Sequence, residues 1–248
     1  MTLISLLLLA ALLPYLGHSA SVNVSIVNGT EARLHSRPYM VSLQVGGRHW
    51  CGGFLISDRF VMTAAHCYRN RPTFTAVLGA HDVANNREGS IRMEVAAYYP
   101  HQQFNAYNMD YDIMLLKLHA RVTRTATMNW IPTPQSDEDI PANTVCSVAG
   151  WGSTGAFRPP ANRLLETQTT IIDRSSCAHH WSLTPRMVCA RHPGGSCRGD
   201  SGGPLLCNNV AVGIVSFGEE RCDSTTKPNV YARISAFLPW IRSIIARG

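Results

Sequence analysis

The sequence predicts an all-β protein of barrel or sandwich architecture, exported and cross-linked by disulfides. Apolar, β-branched segments recur between turn signals at 54–56, 60–64, 74–78, 91–99 and 113–118. After a Pro-rich stretch at 131–134 they resume at 144–149, 165–172, 203–207, 210–217 and 230–234. Short strands at this spacing favour barrels or sandwiches over alternating helix and strand. Eight cysteines, none at C-x-x-C spacing and none with a suitably spaced histidine, fit four disulfides better than a zinc site.

At the start of the chain, residues 3–13 form an apolar run, followed over 14–20 by turn formers and small residues. This reads as a secretory signal peptide over 1–19, although the usual basic opening is missing. The run is shorter than the roughly 18 to 20 residues of a spanning helix, and no second one follows, so no transmembrane segment is expected. A linker falls around 122–134, between two halves rich in strands. At the far end, Ser235 can cap a helix over about 235–246, with Phe237, Ile241, Ile244 and Ile245 near helical spacing.

The net charge is +6, and residues 1–25 carry no Lys, Arg, Asp or Glu, so all of it belongs to the remainder of the chain. The excess is spread out, which describes a generally basic surface suited to anionic surroundings such as proteoglycan or acidic substrates. Dedicated nucleic-acid binding would concentrate it in a patch or stripe.

Gly199-Asp200-Ser201-Gly202-Gly203-Pro204 is the most specific motif. A serine hydroxyl needs a base to become a nucleophile. The N–H groups of Gly199 and Ser201 can converge on the oxygen of a tetrahedral intermediate, and the glycines permit the backbone angles this requires. Thr63-Ala64-Ala65-His66-Cys67 supplies a histidine beside a cysteine that a disulfide would hold still. Asp112 heads the apolar strand 112–118, poised for burial, where bonding an imidazole N–H would satisfy its carboxylate. Asp110 is its rival, less well placed to point inward.

These three segments, in His, Asp, Ser order, resemble the chymotrypsin-like serine proteases, and the resemblance runs from Ile26 to the C-terminal helix. It implies two six-stranded antiparallel β-barrels, about 26–125 and 132–234, within a peptidase domain spanning 26–248. His66 would be the general base and then acid, Asp112 its orienting partner, Ser201 the nucleophile and Ser216 a donor to Asp112. The family pattern also pairs Cys51 with Cys67, Cys146 with Cys207, Cys177 with Cys189, and Cys197 with Cys222.

Ile26-Val27-Asn28-Gly29 resembles the mature N-terminus of these enzymes, whose freed α-ammonium pairs with the aspartate before the nucleophile, here Asp200. His49 matches the histidine that holds that aspartate in the uncut precursor. Ser25 stands where a trypsin-like activator would want Lys or Arg. A signal cut after Ser19 leaves an activation peptide of 20–25, removable as three dipeptides, as in granule-stored leukocyte proteases. Asn23 and Asn28 open N-glycosylation sequons.

By family position, Gly195 is at the base of the specificity pocket beside Ser196, Gly218 lines a wall, Asn229 projects from the far side, and Ser216 and Phe217 are further substrate-binding positions. With no carboxylate at the base, cleavage after Lys or Arg is not expected. Asn229 would shorten the pocket, favouring Leu, Met or Val, with Phe the rival. Arg198 either favours acidic substrate residues or is a solvated surface arginine. Ala80 stands where the family's calcium loop carries a glutamate, so no calcium, other metal or cofactor is expected.

Phrases such as residues 36–43 and 60–63 are similar to the granzyme, chymase, neutrophil elastase and azurocidin group, with a digestive chymotrypsin or elastase the alternative. The resemblance implies a monomer stored in secretory granules, with protein or peptide substrates, serine protease inhibitors as partners and anionic proteoglycan as a storage matrix. A relative such as azurocidin keeps the fold without catalysis, so a heparin-binding or antimicrobial binder is the competing function. Here all three catalytic positions are filled.

Overall fold

The computed structural model describes residues 26–85, 87–191, 195–224 and 226–248. The expected signal peptide, the activation peptide and Asn23 lie outside the described residues. In chain order the strands are β1 (Thr30–Glu31), β2 (Met40–Val45), β3 (Arg48–Leu55), β4 (Phe60–Thr63), β5 (Thr75–Leu78), β6 (Ile91–Pro100) and β7 (Met114–Leu118). There follow β8 (Val145–Gly150), β9 (Leu165–Ile172), β10 (Met187–Arg191), β11 (Pro204–Cys207), β12 (Val210–Phe217) and β13 (Asn229–Arg233). A short helix α1 (Arg174–Ala178) precedes β10, and α2 (Leu238–Arg247) ends the chain.

The strands close into two antiparallel barrels. The first runs β2-β3-β4-β7-β6-β5 and shuts where β2 meets β5. The second runs β8-β9-β10-β13-β12-β11 and shuts where β11 meets β8, with β1 added beside β9. Closure satisfies the edge N–H and C=O groups that an open sheet would expose. Two hairpins follow directly from turn chemistry. Gly46 and Gly47 (φ +57° and +78°) join β2 to β3, and Asn208 and Asn209 (φ +52° and +62°) join β11 to β12. Two-residue turns with positive φ at both positions match the twist of the flanking strands, and glycine and asparagine tolerate them best.

Burial explains which strands escape sequence reading. The expected segments all contain strand, but β1, β2 and β10 lie outside them. β2 reads MVSLQV with Ser42 and Gln44 buried beside their apolar neighbours, so no alternation of apolar and polar residues betrays it. The five residues of β10 are similarly buried up to Arg191. At the C-terminus, residues 234–237 form a 3-10 turn and the α-helix begins at Leu238, with Pro239 in its first turn. Ser235 does not cap this helix: its hydroxyl donates to the Glu138 carbonyl at 3.2 Å and accepts from Arg233 at 2.9 Å. Phe237, Ile241 and Ile244 are buried against the core, whereas Ile245 is partly exposed.

Four disulfides join Cys51 to Cys67, Cys146 to Cys207, Cys177 to Cys189 and Cys197 to Cys222. The first ties β3 to the 3-10 turn holding His66, and the last ties the loop before Ser201 to the loop after β12. None of the described helices is long and apolar enough to cross a membrane.

Candidate active site

His66 lies in a 3-10 turn directly after β4, pinned by the disulfide of its neighbour Cys67. Asp112, 1% exposed, immediately precedes the strand region entering β7, which pairs with β4. Strand pairing therefore delivers the two to one edge of the first barrel. His66 Nδ1–H donates to Asp112 Oδ2 at 2.7 Å, and the His66 backbone N–H donates to Oδ1 at 2.9 Å. From the second barrel, the Ser216 hydroxyl donates to Oδ2 at 2.5 Å. The buried carboxylate thus has three donors, and with Nδ1 committed as donor, Nε2 is left as the ring's acceptor, 4.0 Å from Cys67 Sγ, a disulfide sulfur with no proton to give it.

Asp110 is occupied elsewhere. Its carboxylate accepts from Arg186 Nε at 2.9 Å, Arg186 Nη2 at 2.6 Å and the Thr184 hydroxyl at 2.8 Å. Despite the opposing effect of burial, bonds from Arg186 and Thr184 hold this carboxyl below its ordinary range.

Ser201 approaches from the second barrel, in the turn before β11. Its carbonyl accepts from the Gly52 N–H at 2.8 Å and lies 3.8 Å from Cys67 Sγ, which places the residue beside the His66 turn. No direct hydrogen bond joins Ser201 Oγ to His66 in this structure; such contacts commonly tighten when substrate is bound. Among the described residues, neither the Gly199 N–H nor the Ser201 N–H has a protein acceptor. Gly199 has φ +94°, and a Cβ there would touch the Gly152 backbone, so glycine is required on both counts.

Asp200 faces away from the groove. Fully buried, its carboxylate accepts from the Gly152 N–H and the Cys197 N–H, each at 2.8 Å. Burial pushes its pKa up to about 7 against the pull of those two bonds. A Cβ on either Gly150 or Gly152 would overlap this carboxylate, so the aspartate can lie here only because both are glycine. Ile26 is wholly buried in the second-barrel core, and Val27 bridges to Gly195, whose N–H donates to the Val27 carbonyl at 3.3 Å. His49 does not bond Asp200 here. Its Nε2–H donates to the Gly199 carbonyl at 2.8 Å, and its Nδ1 accepts from the Ser42 hydroxyl at 2.8 Å. Burial lowers its pKa, which favours this neutral tautomer.

A cavity of about 240 Å³ beside Ser201 is lined by Ser196, Arg198, Ser216, Phe217, Gly218 and Asn229, joined by Val215, Glu219 and Glu220. Asn229 Nδ2 donates to the Ser196 carbonyl at 3.0 Å and to its hydroxyl at 2.7 Å. Its side chain lies against Gly195 and Gly218, where any Cβ would crowd it. Arg198 pairs with Glu220 at 3.1 Å, both well exposed.

Sequence reasoning did not anticipate Ser42, Gly150, Gly152, Val215, Glu219 or Glu220 at the site. Two glycines flanking Trp151, itself fully buried, are a signal for close backbone packing that could have been used. The Cys51, His66 and Cys67 side chains cluster tightly, but the two sulfurs are bonded to each other and offer no thiolate to a metal.

Comparison with known proteins agrees with this geometry. A family model described as "Trypsin" matches residues 26–241. The chain is 42% identical over 246 residues to a human (Homo sapiens) protein named cathepsin G, covering 96% of this chain and 92% of the relative. It is 39% identical over 228 residues to a chymase of Papio hamadryas, covering 89% and 90%, and 40% identical over 253 residues to duodenase-1 of Bos taurus, covering 99% and 97%. The chain belongs to the trypsin family and is a chymotrypsin-like serine endopeptidase.

Proposed function

We propose that the chain hydrolyses peptide bonds with Ser201 as nucleophile, His66 as base and acid, and Asp112 as its orienting partner. The observation that carries this is the Asp112 carboxylate, buried between the barrels and bonded at once to His66 and Ser216. His66 Nε2 takes the Ser201 proton as Oγ attacks the substrate carbonyl. The oxyanion receives the N–H groups of Gly199 and Ser201. His66 then gives its proton to the departing amine as the C–N bond breaks, leaving an acyl-enzyme. Water attacks that ester by the same route: His66 takes its proton and returns it to Ser201. Throughout, Asp112 stabilises the imidazolium without itself being protonated.

The Asn229 carboxamide, lying against Gly195 and Gly218, fills part of the cavity with an uncharged polar group, which supports cleavage after medium-sized uncharged residues such as Leu, Met or Val. The Arg198–Glu220 pair is a surface ion pair of small energetic weight, so Arg198 stays available to an acidic substrate residue. Activation follows removal of residues 20–25: the α-ammonium of Ile26 then meets Asp200, the one buried carboxylate in the loop before Ser201. Export, granule storage on anionic proteoglycan, control by serine protease inhibitors and glycosylation at Asn23 or the exposed Asn28 complete the reading. A fluorophosphonate probe should label Ser201 in protein beginning at Ile26 and fail on Ser201→Ala. Absence of labelling in correctly processed, folded protein would leave only a binding role.

A further inference from the structure

We propose that Asp110 and Arg186 form a positioning pair that sets Asp112 against His66 from across the barrel interface. The inference goes beyond the triad reading and rests on it. The segment leading into Asp112 has an unusual backbone. Met109 has φ +58° and Tyr111 φ +56°, left-handed values that crowd the Cβ of any residue other than glycine. Two such residues flanking Asp110 persist only when their surroundings over-determine them.

Those surroundings come from the second barrel. Arg186 and Thr184 lie just before β10, and between them deliver three of the bonds to the Asp110 carboxylate, two of them as an Arg fork at 2.9 and 2.6 Å. The fourth comes from the Tyr111 N–H at 3.0 Å, within the strained segment itself. Arg186 also lays its guanidinium over the Tyr111 ring at 4.1 Å, and His101 stacks on that ring at 4.7 Å. The Arg186 carbonyl is in turn fixed by the Arg233 N–H at 2.8 Å. Tyr111 is bonded to Asp112, so relaxation of its φ turns the peptide that presents the catalytic carboxylate. Neither Asp110 nor Arg186 lines the cavity beside Ser201. The pair therefore acts on the chemistry through Asp112 and leaves substrate binding alone.

The test uses the full processed protein, with kcat and KM measured on a chromogenic peptide and expressed per folded molecule. The variants are Asp110→Asn, Arg186→Gln, the conservative Arg186→Lys, and the double Asp110→Asn/Arg186→Gln. Each neutral single substitution should lower kcat about 10- to 100-fold, the scale of a misplaced catalytic group. KM should stay within about twofold, Arg186→Lys should fall between parent and Arg186→Gln, and the double should be no worse than the worse single, as expected of one unit. Variants that melt earlier but keep the parent's kcat per folded molecule would overturn the inference, as would losses that add in the double. Failure of the parent to react with the fluorophosphonate probe is a separate result and sinks the triad reading first.

Discussion

Asp200 offers the most direct test of the proposed activation, because its energetics would differ between a chain starting at Ala20 and one starting at Ile26. Its carboxyl titrates near 3.8 ordinarily and at about 7 in the fold, where burial dominates and the described residues bring it two N–H donors but no cation. Folding therefore favours the protonated acid. The associated stability is fully present below about pH 4, falls as pH rises, and is gone above about pH 7. At about 1.36 kcal/mol per unit, a shift of some three units corresponds to about 4 kcal/mol. An α-ammonium at Ile26 would cancel most of that loss, and its own contribution holds until pH rises through its raised pKa, above the ordinary value of about 8. The perturbation is the N-terminus: protein starting at Ala20 against protein starting at Ile26, followed by thermal unfolding and peptidase assay from pH 4 to 9. The Ala20 form should lose up to about 2.6 kcal/mol more between pH 5 and 8, roughly 5 to 10 °C in Tm for a chain of this size. Any loop movement that carries the carboxylate to water reduces this loss and abolishes activity, because it displaces Gly199 and Ser201. Asp200→Asn in the Ala20 form should flatten its pH dependence. Superposable stability curves with equal activity in the two forms would refute the reasoning.

Ser216→Ala removes a hydroxyl donor to a buried carboxylate and should lower kcat/KM on a peptide substrate about tenfold, the worth of one bond to a charged group. Asn229→Gly deletes the carboxamide that lies against Gly195 and Gly218. A peptide-library profile should then show Phe and Tyr gaining on Leu about tenfold, in line with what pocket-filling groups contribute. Gly152→Ala drives a methyl into the Asp200 carboxylate, so urea unfolding should show a loss of about 1 to 3 kcal/mol.

The barrels and the proposed catalytic groups differ in how they are written into the chain. His66, Asp112 and Ser201 stand out because each needs particular near neighbours, a cysteine, an apolar strand or glycines, and those are adjacent in sequence. The partners of Asp200 and His49 do not stand out. Ser42 meets His49 only through the irregular register between β2 and β3, where the pairing shifts after Leu43. Gly152 meets Asp200 across 48 residues. Of the three strands that escape notice, β2 and β10 are buried too completely to alternate, and β1 is only two residues long. Asp110 is harder still: as a carboxylate two residues from Asp112 it looks like a rival for the same role, and only Arg186, 76 residues away, shows its different use.

Each barrel satisfies its strand backbone by closing on itself, and the main-chain bonds that join the two lie mostly in loops, such as Val83 N–H to the Asn162 carbonyl and Leu164 N–H to the His81 carbonyl, each at 2.8 Å. Among the contacts that cross between them are Ser216 to Asp112, Gly52 to Ser201, Asp110 to Arg186, His49 to Gly199, Leu164 to His81, and Arg37 to Glu166 at 2.5 Å. Four of these six end on, or within two residues of, a member of the proposed triad. A chain built this way can lose catalytic alignment through one loop or one ion pair while both barrels remain folded. This separability suits the proposed activation: Asp200 is buried with no cation beside it among the described residues, so a freed Ile26 α-ammonium would give it leverage over activity out of proportion to its share of the fold's stability.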